Sequence, residues 1–441
     1  MRTSSAFLLT VCLVLFSSCS NKAGNESFSP GFKLIPADTI FFNSFVDCNM
    51  AEAWIGDTFR IFPGKYGEDP LWGNARDLKF ASGVNAYEAF SSDTSDFTQP
   101  SMPDNVPPGQ AGLHGAVWFE TIYQDQKDES GKTLYAVYHN ENYPSTLPWN
   151  ESDGRGYKDE KWPQGLKGPE SPAAVCRIGI MKSTNGGRSW ENKGIFIEDY
   201  QPRLILKPHN TSNTFAGGVG DPSAVRSGDY LYLFYGEYGY PGIYSEDEWT
   251  PEKEWSGQCI SVARISISDL DDPAGKARRW DGEGFNAAPD GIGTPIVSLQ
   301  IPMNEGGGPA SSPNGGFHWG PSVSWNTYLG CWVMLMGHVT GPSWAGSRIY
   351  ISFNKNRDLG DGRNSQEWSK PRLLLEKPGY FLWYPSIQPT DKPGDLKNRY
   401  TSLKLGKKAR LFVKYIKPDK SEYKSENIIE FLKTDSLTES K

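Results

Sequence analysis

The chain has 441 residues and a formal net charge of −7, with 45 basic against 52 acidic side chains. That balance argues against a nucleic-acid partner, whose phosphate backbone is bound mainly through basic surface. The length suits one large repeat domain or two ordinary ones, and 13% aromatic residues with 47 glycines and 32 prolines favour many short strands joined by turns.

Read from its start, the chain opens with Arg2, then a nearly unbroken apolar run from Ala6 to Phe16, then Ser17-Ser18-Cys19. The run is too short to span a bilayer and has the layout of an export signal. Leu15-Phe16-Ser17-Ser18-Cys19 resembles a bacterial lipobox, which implies cleavage before Cys19 and acylation of its thiol. Residues 1–18 are therefore expected to be a signal peptide and 19–40 a polar, flexible, lipidated tether. Residues 41–441 are expected to form a single domain held at the cell envelope, on the periplasmic face or the cell surface, through the membrane anchor. Cys48, Cys176, Cys259 and Cys331 are dispersed, without Cys-x-x-Cys spacing or a nearby histidine, so no metal site is expected.

Past the tether, strand-like runs recur between turn residues: Leu134–Tyr138, Tyr230–Tyr235, Cys331–Met336 and Arg348–Phe353. The stronger signal is a repeat. Gly220-Asp221-Pro222-Ser223 precedes the run from Tyr230, Trp319-Gly320-Pro321-Ser322 the run from Cys331, and Trp383-Tyr384-Pro385-Ser386 the run Ala409–Tyr415. A looser copy is His114-Gly115-Ala116-Val117-Trp118-Phe119 before Leu134, and the most divergent is Ser44-Phe45-Val46-Asp47-Cys48 before Ala53–Phe59. Five such units, spaced irregularly, predict an all-β, five-bladed β-propeller, in which short sheets repeated radially bury one another's faces. A β-sandwich with long insertions is the competing architecture. In the propeller, residues just before each Pro-Ser would converge on one funnel. Long polar insertions at 88–112 and 142–172 would wall it.

Ser183-Thr184-Asn185-Gly186-Gly187-Arg188-Ser189-Trp190 resembles the Asp-box of sialidases and related propellers, with Asn where Asp is usual. That motif is a structural hairpin and says little about catalysis. Asp221 is the most suggestive carboxylate, because the other repeats have Gly320 and Tyr384 in its place. Asp47 holds the comparable position in the first unit, and Glu141 closes the strand of the second. Glycoside hydrolysis needs two carboxyl groups, one protonated and one ionised, and converging carboxylates raise one another's pKa. Asp47, Asp221 and Glu141 are the candidate catalytic set. His139 and His318 flank repeat elements and could bind substrate hydroxyls, Trp319, Trp383 and Tyr384 could stack on a sugar, and Asp57 and Arg60 form either a salt-bridged turn or part of the cleft.

The order Val46-Asp47, Ile55-Gly56-Asp57-Thr58-Phe59, Asp221-Pro222-Ser223, Gly320-Pro321-Ser322-Val323 and Asn326-Thr327-Tyr328-Leu329-Gly330 resembles five-bladed propeller glycosidases. It is closest to the DUF4185-type group, which includes endo-D-arabinanases, and more distantly similar to the arabinanase and xylosidase families; sialidases fit less well. The resemblance implies a catalytic acid at Asp47 and a second from a later blade, matched by Asp221. It does not carry over a sugar or a linkage. The expected function is a glycoside hydrolase on an extracellular glycan, without cofactor and as a monomer. The alternatives are a non-catalytic glycan-binding lipoprotein or a polysaccharide lyase.

The anchor is directly testable. Wild-type protein should fractionate with membranes, and Cys19→Ala should shift it to the soluble fraction; unmodified wild-type protein in the soluble fraction would remove the lipidation site.

Overall fold

The structure is a computed structural model that describes residues 28–67, 75–76, 78–103, 115–142, 174–198, 215–242, 246–360, 363–389 and 399–433. The export signal, Cys19 and almost all of the 142–172 insertion lie outside these residues, as does the 88–112 insertion beyond residue 103.

Strand β1 (Gly31–Phe42) comes first and β2 (Glu52–Ile55), β3 (Thr58–Ile61) and β6 (Ala81–Gly83) follow as one small sheet; β4 (Lys65–Gly67) and β5 (Ala75–Arg76) branch toward the next. The second sheet is β7 (Ala116–Gln124), β8 (Leu134–Asn142), β9 (Ala174–Ser183) and β10 (Glu191–Ile197). The third is β11 (Phe215–Ser227), β12 (Tyr230–Glu237), β13 (Cys259–Ser266) and β14 (Arg278–Arg279). A fourth comprises β15 (Gly316–Asn326), β16 (Cys331–Thr340), β17 (Ala345–Asn354) and β18 (Arg372–Glu376). The last runs from β19 (Phe381–Pro389), past the short β20 (Lys404–Leu405), to β21 (Lys408–Lys417) and β22 (Lys420–Leu432), and β1 pairs with β22 as its outer strand. These are five antiparallel blades whose first strands, β2, β7, β11, β15 and β19, are innermost. The chain is a five-bladed β-propeller.

Because β1 completes the fifth blade, residues 31–40 belong to the folded domain and not to a flexible tether. Their register runs from Gly31 opposite Leu432 to Phe42 opposite Tyr423.

The Pro-Ser repeats have a structural reason. In β11, β15 and β19 the pairing shifts register between Gly220 and Ser223, Trp319 and Ser322, and Trp383 and Ser386. At these bulges Asp221, Gly320 and Tyr384 take left-handed backbone, φ +48°, +56° and +48°. The proline that follows has no N–H to lose from the ladder, which suits a bulge. The hydroxyl after it staples neighbouring inner strands: Ser223 Oγ accepts Val323 N–H at 2.9 Å. In the second blade Thr121 Oγ1 accepts Ala224 N–H at 3.2 Å, one blade earlier in the same pattern. The second blade's bulge is therefore Phe119-Glu120-Thr121, not the His114–Phe119 stretch expected from sequence. Gly115 lies just before β7 begins.

The Asp-box hairpin joins β9 to β10. Asn185 Oδ1 accepts the Arg188 and Ser189 N–H groups and the Ser183 hydroxyl, so the amide oxygen does what a carboxylate would. Trp190 packs edge-on against Phe62 and Phe119, tying blade 2 to blade 1. The hint at Glu367-Trp368-Ser369 is likewise an outer-strand contact, with Ser369 Oγ accepting Phe353 N–H at 3.0 Å.

Blade 1 meets blade 5 through Glu52. Its carboxyl accepts the Ser402 N–H and lies against Gln388 of β19. Burial, with these hydrogen bonds opposing it, pushes Glu52 up to about 8 from 4.5. A proton there also resolves two facing buried acceptors, Glu52 Oε2 and Gln388 Oε1. Between pH 4.5 and 8 the folded chain keeps a proton that the unfolded chain has released, so stability falls as pH rises through that window, by about 1.4 kcal/mol per pH unit. Glu52→Gln should flatten this slope in denaturant titrations at several pH values and stabilise the protein at the alkaline end. An unchanged slope would refute a protonated Glu52.

Candidate active site

The inner end of β11 is drawn unusually close to blade 2. Before entering blade 3, β11 pairs in parallel with β9 around Cys176. Gly218, at φ +96°, stands where a Cβ would lie 2.3 Å from the Cys176 backbone, so only glycine permits the approach. Three residues later Asp221 is delivered against His139 of β8, and a Cβ on the intervening Gly220 would already meet that ring at 2.7 Å.

Asp221 is 1% exposed. Its Oδ2 accepts the Tyr238 hydroxyl at 2.8 Å and its Oδ1 the Tyr384 hydroxyl at 3.3 Å. Burial, then the Asp221 charge, raises both phenols well above the usual tyrosine range, which keeps them as donors. The Asp221 backbone N–H points at His139 Nδ1, 3.1 Å away, while Oδ1 lies 3.5 Å from the same nitrogen. Burial resists a charge on His139, whereas Cys176 and Asp221 favour it more strongly. The directed amide bond can be accepted only by an unprotonated Nδ1, so the geometry assigns the neutral tautomer with its proton on Nε2.

The third member is Glu120, at the blade 2 bulge and 1% exposed. Its Oε2 accepts the Asn49 N–H at 2.7 Å, and Asn49 in turn donates from Nδ2 to Pro321 O at 3.2 Å, bridging the axis. Glu120, His139 and Asp221 present ligand atoms all within 4.8 Å of one another. Burial, then the Asp221 charge, raises Glu120 well above the ordinary carboxyl range, which favours its protonated form. Its Oε1 has no hydrogen-bond partner among the described residues and is the oxygen available to carry that proton.

The donor set of Glu120, His139 and Asp221 is one that could hold a divalent cation. Here both Asp221 oxygens already accept phenol hydroxyls and His139 Nδ1 accepts an amide. These bonds take one lone pair of each Asp221 oxygen and leave the others, with Glu120 Oε1, open to a cation or to a proton.

Asp47 lies above this pair, its side chain 31% exposed, with Oδ1 2.5 Å from Lys414 Nζ. The Lys414 ammonium is itself enclosed by the rings of Phe45, Trp383 and Tyr384 at 5.1, 5.4 and 6.0 Å. After burial, the charges of Asp221, Asp47 and Glu120 raise the Tyr384 hydroxyl, so all three acids lie within electrostatic reach of that phenol.

The other sequence candidates fall elsewhere. Glu141 is two residues beyond His139 on β8, opposite Ala116 and Cys176, and is not in the cluster. His318 donates from Nδ1 to Leu299 O at 2.7 Å and packs on Tyr350; burial takes it down to about 4, so it is a neutral core histidine. Trp319 is buried between Trp344, Trp383 and Tyr384. Trp383 is half-buried and donates from Nε1 to Trp344 O at 2.9 Å. Asp57 and Arg60 are corrected outright. Asp57 sits in the β2–β3 turn, paired with Arg399 at 2.8 Å, at the opposite end of the axis. Arg60 donates to Gly186 O at 2.5 Å and covers the Phe80 ring, stapling the Asp-box hairpin.

Sequence reasoning missed Glu120, Tyr238, Asn49 and Lys414. Glu120 did carry a signal, as the lone acid in the apolar run Val117-Trp118-Phe119-Glu120-Thr121-Ile122.

No protein-family model matches the chain, and no curated protein matches it. Solved structures resemble it in shape. The arabinanase Arb43A of Bacillus subtilis aligns at 11% identity and TM-score 0.42, over 90% of this chain and 97% of the other. An α-L-arabinofuranosidase from Lactobacillus brevis aligns at 9% and 0.45, over 89% and 92%. A Dyadobacter fermentans protein of unknown function aligns at 8% and 0.40, over 86% and 75%. Likeness at this level carries no chemistry, and the propeller assignment rests on the five blades themselves.

The cluster makes a spectroscopic prediction. A protonated-carboxyl stretch at neutral pH should disappear in Glu120→Gln. In Asp221→Asn the same band should titrate at lower pH, because the neighbouring charge is gone while burial remains. Glu52 contributes its own band, removed by Glu52→Gln; if no further protonated-carboxyl band responds to Glu120→Gln, the proton is not on Glu120.

Proposed function

We propose that the domain is a glycoside hydrolase whose chemistry is carried by Glu120, Asp221 and Asp47. The supporting observation is the buried Glu120–Asp221 pair, in which one carboxyl is held protonated beside another that accepts two phenol bonds. Glu120 acts as general acid and gives its proton to the glycosidic oxygen as the C–O bond breaks. Asp47, the acid of the three that reaches solvent, takes a proton from the attacking water or attacks the anomeric carbon itself. Asp221 keeps Glu120 protonated and is fixed by Tyr238, Tyr384 and His139. The pairing in the sequence reading was Asp47 with Asp221; the pair that shares a proton is Glu120 with Asp221, and Asp47 supplies the second catalytic carboxylate.

The substrate proposed is a glycan met at the cell envelope, with the chain anchored through Cys19 and related to the DUF4185-type propellers by its motifs. The deep burial of Glu120 and Asp221 favours a second reading, a glycan-binding protein in which the pair is structural.

Amide variants separate the two. On a substrate found by screening plant, microbial and host glycans, Glu120→Gln, Asp221→Asn and Asp47→Asn should each lower turnover by roughly 10²–10⁴-fold. Activity needs the protonated form of Glu120 and so falls as pH rises through its pKa; Asp221→Asn should move that alkaline limb to lower pH. Full activity in Asp221→Asn ends the hydrolase assignment, and retained binding without turnover in the wild type favours the binding protein.

A further inference from the structure

The far end of the propeller axis holds a second hollow, of about 1120 Å³. Its wall includes the β2–β3 turn at Gly56-Asp57, the β7–β8 turn from Gln124 to Gly131 and the β11–β12 turn at Ser227-Gly228. The β15–β16 pair Trp325 and Trp332 and the Thr401–Lys404 segment complete it. Asp221 and Ser227 are six residues apart along β11, about 20 Å. The rim of the hollow at Ser227 is thus well removed from the acid cluster, although its lining also reaches Ala224 and Ile122, three residues from Asp221 and two from Glu120.

Three features define what would fit it. The first is aromatic surface. Trp325 is half-buried and meets Trp332 edge-on at 5.0 Å, and Trp54 and Tyr123 also line the space. Trp332 is 5% exposed, and its indole N–H has no partner among the described residues. The second is charge already satisfied within the wall. Arg399 is paired with Asp57, Arg226 donates to Gln126 at 2.6 Å and to Gly228 O at 3.0 Å, and Asp358 accepts the Ser227 hydroxyl at 3.1 Å. The lining holds six acids, Glu52, Asp57, Asp125, Asp128, Glu129 and Asp358, against four bases, Arg226, Arg357, Arg399 and Lys404, a mixed set whose acidic excess disfavours an anion. The third is strain. Arg399 is a non-glycine residue at φ +46°, held there while its guanidinium reaches Gly56 O at 2.6 Å. That geometry spends backbone energy to place a planar, multi-donor group at the rim.

Indole faces and a mixture of carboxylate and guanidinium groups that disfavours an anion match one ligand class, a neutral saccharide. A sugar ring offers an apolar C–H face to tryptophan and vicinal hydroxyls that both donate and accept. The volume lies at the upper end of small-molecule sites and exceeds what a single ring fills. We propose that this hollow is a second saccharide-binding site, for a short neutral oligosaccharide, on the face opposite the carboxylate cluster. It does not rest on the hydrolase reading. A glycan held here would tether polymer to the protein without being cut.

The test uses the full mature domain carrying Glu120→Gln, so that no probe is hydrolysed. Neutral arabino-, xylo-, cello-, manno- and galacto-tetrasaccharides are titrated calorimetrically. At least one should bind with a Kd at or below roughly 1 mM. Trp325→Ala and, separately, Arg399→Ala should weaken that binding at least tenfold, and Asp47→Ala reports separately on any saccharide held at the carboxylate cluster. Thermal melts confirm that each variant is folded, and Arg399→Ala, at the exposed rim, keeps the test decisive if Trp325→Ala unfolds. The proposal fails if none of these saccharides binds. It fails equally if binding is lost in Asp47→Ala and not in the Arg399 and Trp325 variants, which would put the sugar at the carboxylate cluster.

Discussion

The fifth blade takes three strands from the end of the folded chain and its outer strand from the beginning, with Gly31 paired to Leu432 and Phe42 to Tyr423. A propeller is a ring of sheets, and each blade is buried only if both neighbours are present, so the ring is stable only when closed. This closure brings together residues more than 340 positions apart. Asp47 meets Lys414, Glu52 meets Ser402, Trp54 donates to Tyr400 O and Asp57 meets Arg399. The Asp47–Lys414 contact and the wall of the far hollow both depend on it.

Within the closed ring, the acid cluster is a consequence of how the inner strands are irregular. A regular strand would alternate its side chains between the two faces of a blade. A bulge turns one residue out of that alternation. At the bulges of blades 2 and 3 that residue is an acid, Glu120 and Asp221. At the corresponding places in blades 4 and 5 it is Gly320, which leaves room, and Tyr384, which donates to Asp221. Two carboxyl groups can share so dry a place because burial favours the protonated form of one, Glu120, while the other, Asp221, accepts two phenol hydroxyls. The same burial that makes them costly is what separates their protonation states.

The two ends of the axis differ in kind. One gathers carboxyl groups near a lysine caged by aromatic rings, the other gathers tryptophan with the Arg399–Asp57 ion pair. Glu52 lies between them on β2, a buried acid that serves the blade 1–blade 5 junction and lines the far hollow. The four described cysteines, Cys48, Cys176, Cys259 and Cys331, are buried free thiols and contribute packing to the inner blades.

Much of the architecture was legible in the chain because it is written locally. Strand runs, the Asp-box and the Pro-Ser bulges are each encoded within about ten residues, and their recurrence was enough to count five blades. Asp221 was legible for the same reason, as a departure from a repeat that elsewhere has Gly320 or Tyr384, and His139 as a flanking polar residue on the next strand. The bulge at Phe119-Glu120-Thr121 was not, because it lacks the proline and has one residue fewer, which shifted the expected alignment to Gly115. The sequence also could not separate the two ends of a blade. Asp57 and Arg60 follow Asp47 closely in the chain, yet β2 carries the backbone away from the funnel in four residues, and only the tertiary structure shows them at the far turn and on the Asp-box. Nor could it show that residues 31–40 are a strand, since a polar, edge-like segment becomes ordered only when β22 is present to pair with it. Local hydrogen-bonding preference determined the blades; which residues meet across the axis was decided by ring closure, a contact between the two ends of the folded domain.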